Sequence, residues 1–270
     1  MGKIAISPDV HGRRFWEIIK EHKEQFDKIV FLGDYVSPYS YEGITVKTAI
    51  EVFDEVLKFK KDNPDKVVLL FGNHDFSYIE NSICESRMDY ANWDRLNGMY
   101  FDNILSFDLA WETKIGDKRY FLSHSGVRKE WFDRWVKNKL FKWDGDDLPP
   151  ADYFNNLFHA AYDDGHNPAT ESTRDFERAI GVYSWYRGWA GENDGSIVWA
   201  DIKEYAKEGT LKSDYDNVVF ICGHTQLRRD PIIRDEVMCL DCRKPFVLDT
   251  ETGKVKELDY SPSTGRMGRP

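Results

Sequence analysis

Lys66-Val67-Val68-Leu69-Leu70-Phe71-Gly72-Asn73-His74-Asp75 joins an apolar run to three polar side chains. The run from Lys66 to Phe71 predicts a buried strand, closed by Gly72. A strand that ends in Gly and then emits Asn, His and Asp delivers coordinating or proton-carrying groups to one edge of a sheet, where α/β proteins place their chemistry. Alone, this tetrapeptide is weak evidence. Its weight comes from other strand ends that finish the same way.

Working outward, Lys3 to Ile6 predicts a first strand, followed by Ser7-Pro8-Asp9-Val10-His11-Gly12. Asp9 and His11 stand two apart just past that strand, which suits a carboxylate and an imidazole sharing one metal. Read alone, Asp9 equally serves as the cap of a helix expected over Arg13 to Lys23. Lys28 to Leu32 predicts a second strand, ending in Gly33-Asp34-Tyr35. A helix follows over Ile44 to Lys60, with Ile44, Ala49, Ile50, Phe53, Val56, Leu57 and Lys60 as its inward stripe. Three strand-helix repeats imply a parallel sheet with right-handed crossovers.

Beyond Phe76 the periodicity fades until a hairpin over Leu109 to Leu122, turned by Gly116-Asp117 and ending in Ser123-His124-Ser125-Gly126. Val218 to Ile221 predicts another buried strand, ending in Cys222-Gly223-His224-Thr225-Gln226. Short strands are expected at Ile232-Ile233, Val237 to Leu240, Pro245 to Leu248 and Lys254 to Leu258. One domain is expected over residues 1–260, with insertions at about 76–107 and 127–199 and a loose tail at 261–270. The second insertion is rich in aromatic residues, which need burial, so it reads as a packed helical cap.

Composition narrows the function classes. A formal net charge of -10 argues against a long nucleic acid as partner, because such binders carry a basic stripe. Cys84, Cys222, Cys239 and Cys242 have no framework spacing, no leader pattern precedes the first strand, and no run approaches about 18 apolar residues. A cytoplasmic setting without membrane contact is the expectation. Cys239-x-x-Cys242 has redox or zinc spacing but no second pair. His22, His159 and His166 lack strand-end contexts and read as surface or cap residues.

Collected in order, the polar strand ends are Asp9, His11, Asp34, Asn73, His74, His124 and His224. Imidazole, carboxylate and amide without thiolate suit Mn, Fe, Zn, Co or Mg. The set Asp-x-His-Gly, Gly-Asp-Tyr, Gly-Asn-His-Asp, Ser-His-Ser-Gly and Gly-His-Thr resembles the calcineurin-like metallophosphoesterases. Within them it resembles the branch of Ser/Thr protein phosphatases and dinucleoside tetraphosphate hydrolases. The resemblance runs from Asp9 to Gln226. It implies a four-layer fold, a two-sheet β-sandwich flanked by helices, with two divalent metal ions at the sheet edge. Asp9 and His11 would hold the first metal, Asn73, His124 and His224 the second, and Asp34 would bridge both. A metal-bridging hydroxide would attack phosphorus, and His74 would protonate the leaving oxygen.

The sequence departs from the branch in three places. Where Gly-Asp-Tyr normally continues Val-Asp-Arg-Gly, here stands Val36-Ser37-Pro38-Tyr39, so the supporting Asp and the phosphate-gripping Arg are displaced. Asp75 or a cap group is expected to orient His74 instead. Arg187, in Trp185-Tyr186-Arg187-Gly188, is expected to grip phosphate or else to pack on aromatic rings. Gln226 replaces a second His of many diesterases and either ligates through its amide oxygen or leaves the first metal with fewer protein ligands. The reading is a two-metal, Mn-favouring hydrolase of phosphomonoesters, acting on a phosphoprotein or a small metabolite. A nucleotide phosphodiesterase or dinucleoside polyphosphate hydrolase is the alternative, and a binding scaffold on the same fold is the third.

Overall fold

The computed structural model describes residues 2–79, 87–137, 141–162, 176–177, 179–180 and 195–259. Strands β1 (Lys3–Ser7), β2 (Lys28–Phe31) and β3 (Val67–Leu70) are parallel neighbours, with Ile4 opposite Lys28 and Ile29 opposite Val67. Their side chains are buried on both faces, which is why each reads as a continuous apolar run. Helix α1 covers only Glu17–Glu21, not the longer span expected from Arg13. His11 and Gly12 both adopt left-handed backbone, φ 44 and φ 74, which no right-handed helix continues.

Helix α2 (Val46–Asp62) starts where the Thr45 hydroxyl accepts the Thr48 N–H at 3.1 Å, and it ends just before Asn63-Pro64. Its stripe of Ala49, Ile50, Val52, Phe53, Val56, Leu57 and Phe59 is buried against the first sheet. Burial of one such Phe contributes about 1.5–3 kcal/mol. The short α3 (Asn73–Phe76) follows β3, and α4 (Trp93–Phe101) lies within the weakly periodic excursion. Only Leu96 and Tyr100 of α4 are buried, so its sequence carries little helical signal.

Strand β4 (Phe107–Asp108) leads into the hairpin of β5 (Ala110–Ile115) and β6 (Lys118–Ser123), turned at Gly116 with φ 59. Helices α5 (Lys129–Lys137) and α6 (Ala151–Tyr162) follow. Phe154 of α6 meets Phe121 of β6 at 6.0 Å between ring centres, and the Asn155 side chain accepts from the backbone of Leu109 and Ala110. The described part of the expected cap thus supplies a helical layer against the second sheet. The tail at 261–270 and Arg187 lie outside the described residues.

A small pair, β7 (Ala206–Lys207) and β8 (Thr210–Leu211), precedes β9 (Val218–Cys222), β10 (Ile232–Ile233), β11 (Val237–Cys239), β12 (Phe246–Asp249) and β13 (Val255–Glu257). One sheet runs β13-β12-β1-β2-β3-β4 and the other β10-β11-β9-β6-β5. Ile4, Ile6, Val30 and Leu70 of the first sheet pack with Leu122, Val219 and Ile221 of the second. The alternate residues Ala5, Ile29, Phe31 and Leu69 face the outer helical layer. The result is a two-sheet sandwich between helices. No helix among the described residues is long and apolar enough to cross a membrane.

Candidate metal centre

The polar residues expected at the site sit just past the C-terminal ends of three parallel strands of one sheet and two of the other. Asp9 and His11 follow β1, Asp34 follows β2, Asn73 follows β3, His124 follows β6 and His224 follows β9. His11, Asp34 and His224 have φ of 44, 54 and 64, a backbone that L-residues adopt at a cost of about 1–3 kcal/mol each. Each such residue ends its strand and turns its side chain inward. All six side chains are buried.

Asp34 stands between two imidazoles: its Oδ2 lies 3.5 Å from His11 Nε2 and 3.6 Å from His124 Nε2. Asp9 Oδ2 lies 4.0 Å from the same His11 nitrogen, and its carboxylate accepts the His224 backbone N–H at 3.0 and 3.1 Å. Asn73 Oδ1 lies 2.9 Å from His124 Nε2 and 2.8 Å from His224 Nδ1, and those two nitrogens are 3.2 Å apart. The tautomers are fixed from behind. His11 Nδ1 donates to the Val36 carbonyl at 2.8 Å and His124 Nδ1 to the Leu32 carbonyl at 2.7 Å, so both Nε2 lone pairs face the cluster. Backbone-oriented imidazoles of this kind are ready to ligate a metal.

The electrostatics fit a cation. Burial, then the charges of Asp241 and Asp34, push Asp9 well above the usual carboxylate range, against the opposing pull of His124 and the His224 N–H. Burial, then the neighbouring His74, Arg87 and Arg13, hold His11 well below the usual imidazole range. A neutral His11 imidazole beside mutually repelling carboxylates gains from a positive ion placed among them. Two glycines make the approach possible: a Cβ on Gly223 would collide with Asp9 Oδ1, and one on Gly72 with Asp34 Oδ1.

His74 lies beside this group, its ring 5.4 Å from that of His11. Its expected partner Asp75 is engaged elsewhere. The Asp75 carboxylate accepts from the N–H groups of Gly72, Asp34 and Tyr35, at 2.8, 2.8 and 3.1 Å, and from the Tyr100 hydroxyl. It therefore fixes the backbone that carries Asp34, in place of orienting the His74 ring. A side chain that does reach His74 is Arg87, whose Nη2 lies 2.7 Å from His74 Nε2. Arg87 Nη1 donates to the Ser37 carbonyl at 2.8 Å, and its guanidinium lies 3.5 Å from the centre of the Tyr39 ring. Ser37 and Tyr39 occupy the positions where the sequence departs from Val-Asp-Arg-Gly. Sequence reasoning missed Arg87 because it comes from the aperiodic excursion and follows no strand.

Gln226 stays outside the buried group. It is exposed, and its Nε2 donates to the Tyr41 hydroxyl at 2.7 Å, so the expectation of an amide ligand is not met by this arrangement. Cys239 donates to the Gly223 and Thr225 carbonyls at 3.3 Å each, a structural use of one member of the Cys-x-x-Cys pair. Asp241, two residues further on, is a buried carboxylate that no motif or strand-end spacing marks.

The calcineurin-like phosphoesterase profile matches residues 2–228. The chain is a calcineurin-like phosphoesterase. It is accordingly a hydrolase of phosphoesters that uses divalent metal ions, and Asp9, His11 and Asp34 form a candidate site with ligand atoms all within 4.8 Å of one another. The cold-active protein-tyrosine phosphatase of a psychrophile, Shewanella sp., shares the fold: 17% identity and a TM-score of 0.56 over 96% of this chain and 81% of that one. A phosphatase domain from the Legionella effector WipB aligns at 16% identity and TM-score 0.44 over 79% of each chain. An archaeal phosphodiesterase aligns at 15% identity and TM-score 0.32 over 95% of this chain and 98% of its own. No curated protein matches this phosphoesterase.

Proposed function

We propose that this phosphoesterase is a two-cation phosphomonoesterase acting on a phosphoprotein or a small phosphorylated metabolite. The observation that carries the reading is the buried cluster in which Asp34 stands between His11 and His124, with Asp9 on one side and Asn73 and His224 on the other. Asp9, His11 and Asp34 would hold one ion, and Asp34, Asn73, His124 and His224 a second. Two such ions, Mn²⁺ fitting this oxygen and nitrogen donor set, would supply Lewis-acid polarisation of phosphoryl oxygens and a water-derived nucleophile at neutral pH.

The chain's own groups do the rest. His74 delivers a proton to the leaving oxygen. Arg87 has five N–H donors, of which the Ser37 carbonyl and His74 engage two. Its planar fork suits the non-bridging oxygens of a phosphoryl group. A phosphoryl oxygen that replaces His74 as acceptor leaves His74 Nε2 to face the leaving group. A monoester offers this arginine more negative charge than a diester does, which favours the monoester. Arg187, where the sequence places the same grip, is the competing candidate. A nucleotide-directed diesterase is the second reading, supported by Tyr41, 68% exposed with its ring 5.4 Å from that of Tyr39.

The relative of the same fold is named a protein-tyrosine phosphatase, so an aryl phosphate is the first substrate to try. The test compares kcat/KM for an aryl monoester and a bis-aryl diester on Mn-loaded protein, with His74→Ala as control. At least tenfold preference for the monoester, lost in the control, is the expected result. Preference for the diester promotes the second reading; no turnover of either ester by wild type moves the assay to dinucleotides, and their failure too leaves a binding scaffold.

A further inference from the structure

Strand β11 runs parallel to β9 with Cys239 opposite Cys222, and the ladder continues past both as Leu240 N–H donates to the Cys222 carbonyl at 2.8 Å. Cys239 also donates to the Gly223 and Thr225 carbonyls on either side of His224, so the chain leading into Asp241 runs against the turn whose N–H meets the Asp9 carboxylate. The Asp241 backbone is pinned, its carbonyl accepting the Leu227 N–H at 2.8 Å. Its side chain is 1% exposed, and neither carboxylate oxygen has a hydrogen-bond partner. A buried carboxylate in this condition calls for an ion or an ordered water.

The charges that face it define where it looks. Arg13, Arg243, His124 and Arg87 act on Asp241. Arg13 and Arg243, the strongest of these, both direct Nε to Glu42 at 2.7 Å, so Asp241 is not their hydrogen-bond partner. In the other direction, the Asp241 charge raises Asp9. Asp241 is not one of the three residues whose ligand atoms all lie within 4.8 Å of one another, and a carboxylate outside such a set reaches an ion through water.

We propose that Asp241 is an outer carboxylate of the first cation's site, engaging through water the ion held by Asp9, His11 and Asp34. It supplies there the negative group that the exposed Gln226 does not. The inference rests on the two-cation reading of the centre. It also makes the two sites unequal: three carboxylates serve the first, whereas the second shares Asp34 and adds an amide and two imidazoles. The first is then the harder site, favouring Mn²⁺ or Mg²⁺.

Mn²⁺ binding isotherms, read by electron paramagnetic resonance of the free ion, test this on the whole chain alongside melting temperatures with and without Mn²⁺. Wild type is expected to bind two ions. Asp241→Asn should weaken one of them at least tenfold and leave the other within a few-fold. The metal-free Asn variant should melt no lower than metal-free wild type, because a charge repelling Asp9 is gone, yet gain less from Mn²⁺. Asp241→Glu should restore the affinity to within a few-fold, a rescue that a packing role would not give. If the Asn variant does not fold, Asp241→Ser, with room for water, serves in its place. Two ions bound with wild-type affinity and an undiminished thermal gain in the neutral variant would overturn the inference alone. A wild type that takes up no ion would overturn the two-cation reading with it.

Discussion

Replacing Arg87 with Ala separates catalysis from stability. In the folded protein Arg87 donates to the Ser37 carbonyl at 2.8 Å and to His74 Nε2 at 2.7 Å, and its guanidinium lies 3.5 Å from the centre of the Tyr39 ring. The group is half-buried, so each hydrogen bond contributes about 1 kcal/mol and the cation-π contact about 0.5–1 kcal/mol. Unfolding in urea should therefore lose roughly 3 kcal/mol at most. Turnover of the folded variant should fall as well. A charge-assisted bond to a phosphoryl oxygen is worth about 1.5–3 kcal/mol. At about 1.4 kcal/mol per decade, that is roughly 10- to 100-fold in kcat/KM for an aryl monoester. Arg87→Lys keeps the charge without the fork and should recover only part of the loss. The assay is steady-state hydrolysis on Mn-loaded variants, with Arg187→Ala run alongside. A folded Arg87→Ala protein within twofold of wild type, or an equal loss in the Arg187 variant alone, refutes the assignment.

Other expectations follow from the same geometry. Asp75→Asn places an amide among three backbone N–H donors and should destabilise the protein by about 3 kcal/mol in urea unfolding, with weaker Mn²⁺ uptake as the Asp34 backbone loosens; wild-type stability and uptake would contradict this. Gln226→Ala should leave metal stoichiometry and kcat within twofold, since the side chain is exposed and bound to Tyr41, and loss of one metal equivalent would show that it ligates. Asp214 provides the pH test. Burial raises its pKa, but hydrogen bonds from Arg128 and Lys207 outweigh burial and hold it below the ordinary carboxylate range. A depressed carboxylate contributes stability above its unfolded pKa of about 4 and loses it as pH falls through the folded value. Asp214→Asn should thus flatten the fall of unfolding free energy below about pH 4, and an unchanged slope would argue against the pairing.

What could be read from the sequence follows from burial. β1, β2, β3 and β9 are covered on both faces, so each appears as an unbroken apolar run, and the polar residues that end it mark the sheet edge. Asp9, His11, Asp34, Asn73, His124 and His224 were visible for that reason. Arg87 was not, because its contact with His74 is made by an excursion folding back over the edge, and only Ser37 and Tyr39 hinted that something else must fill the space. For Asp75 the sequence leaves two uses open for a different reason. A carboxylate three residues past Gly72 satisfies nearby backbone donors as naturally as it orients a ring, and local sequence does not separate the two. Gln226 follows a left-handed His224, which redirects the chain outward, and φ is not written in the residue type. Asp241 sits past a short strand beside two cysteines, where spacing drew attention to sulfur and away from the carboxylate.

Stoichiometric metal titration of chelator-stripped protein, followed by turnover of an aryl phosphate monoester, tests the central claim most directly. The account predicts no turnover in the stripped protein and activity that rises with the second equivalent of Mn²⁺ per chain. Full turnover without metal, or complete activity at one equivalent, would contradict it.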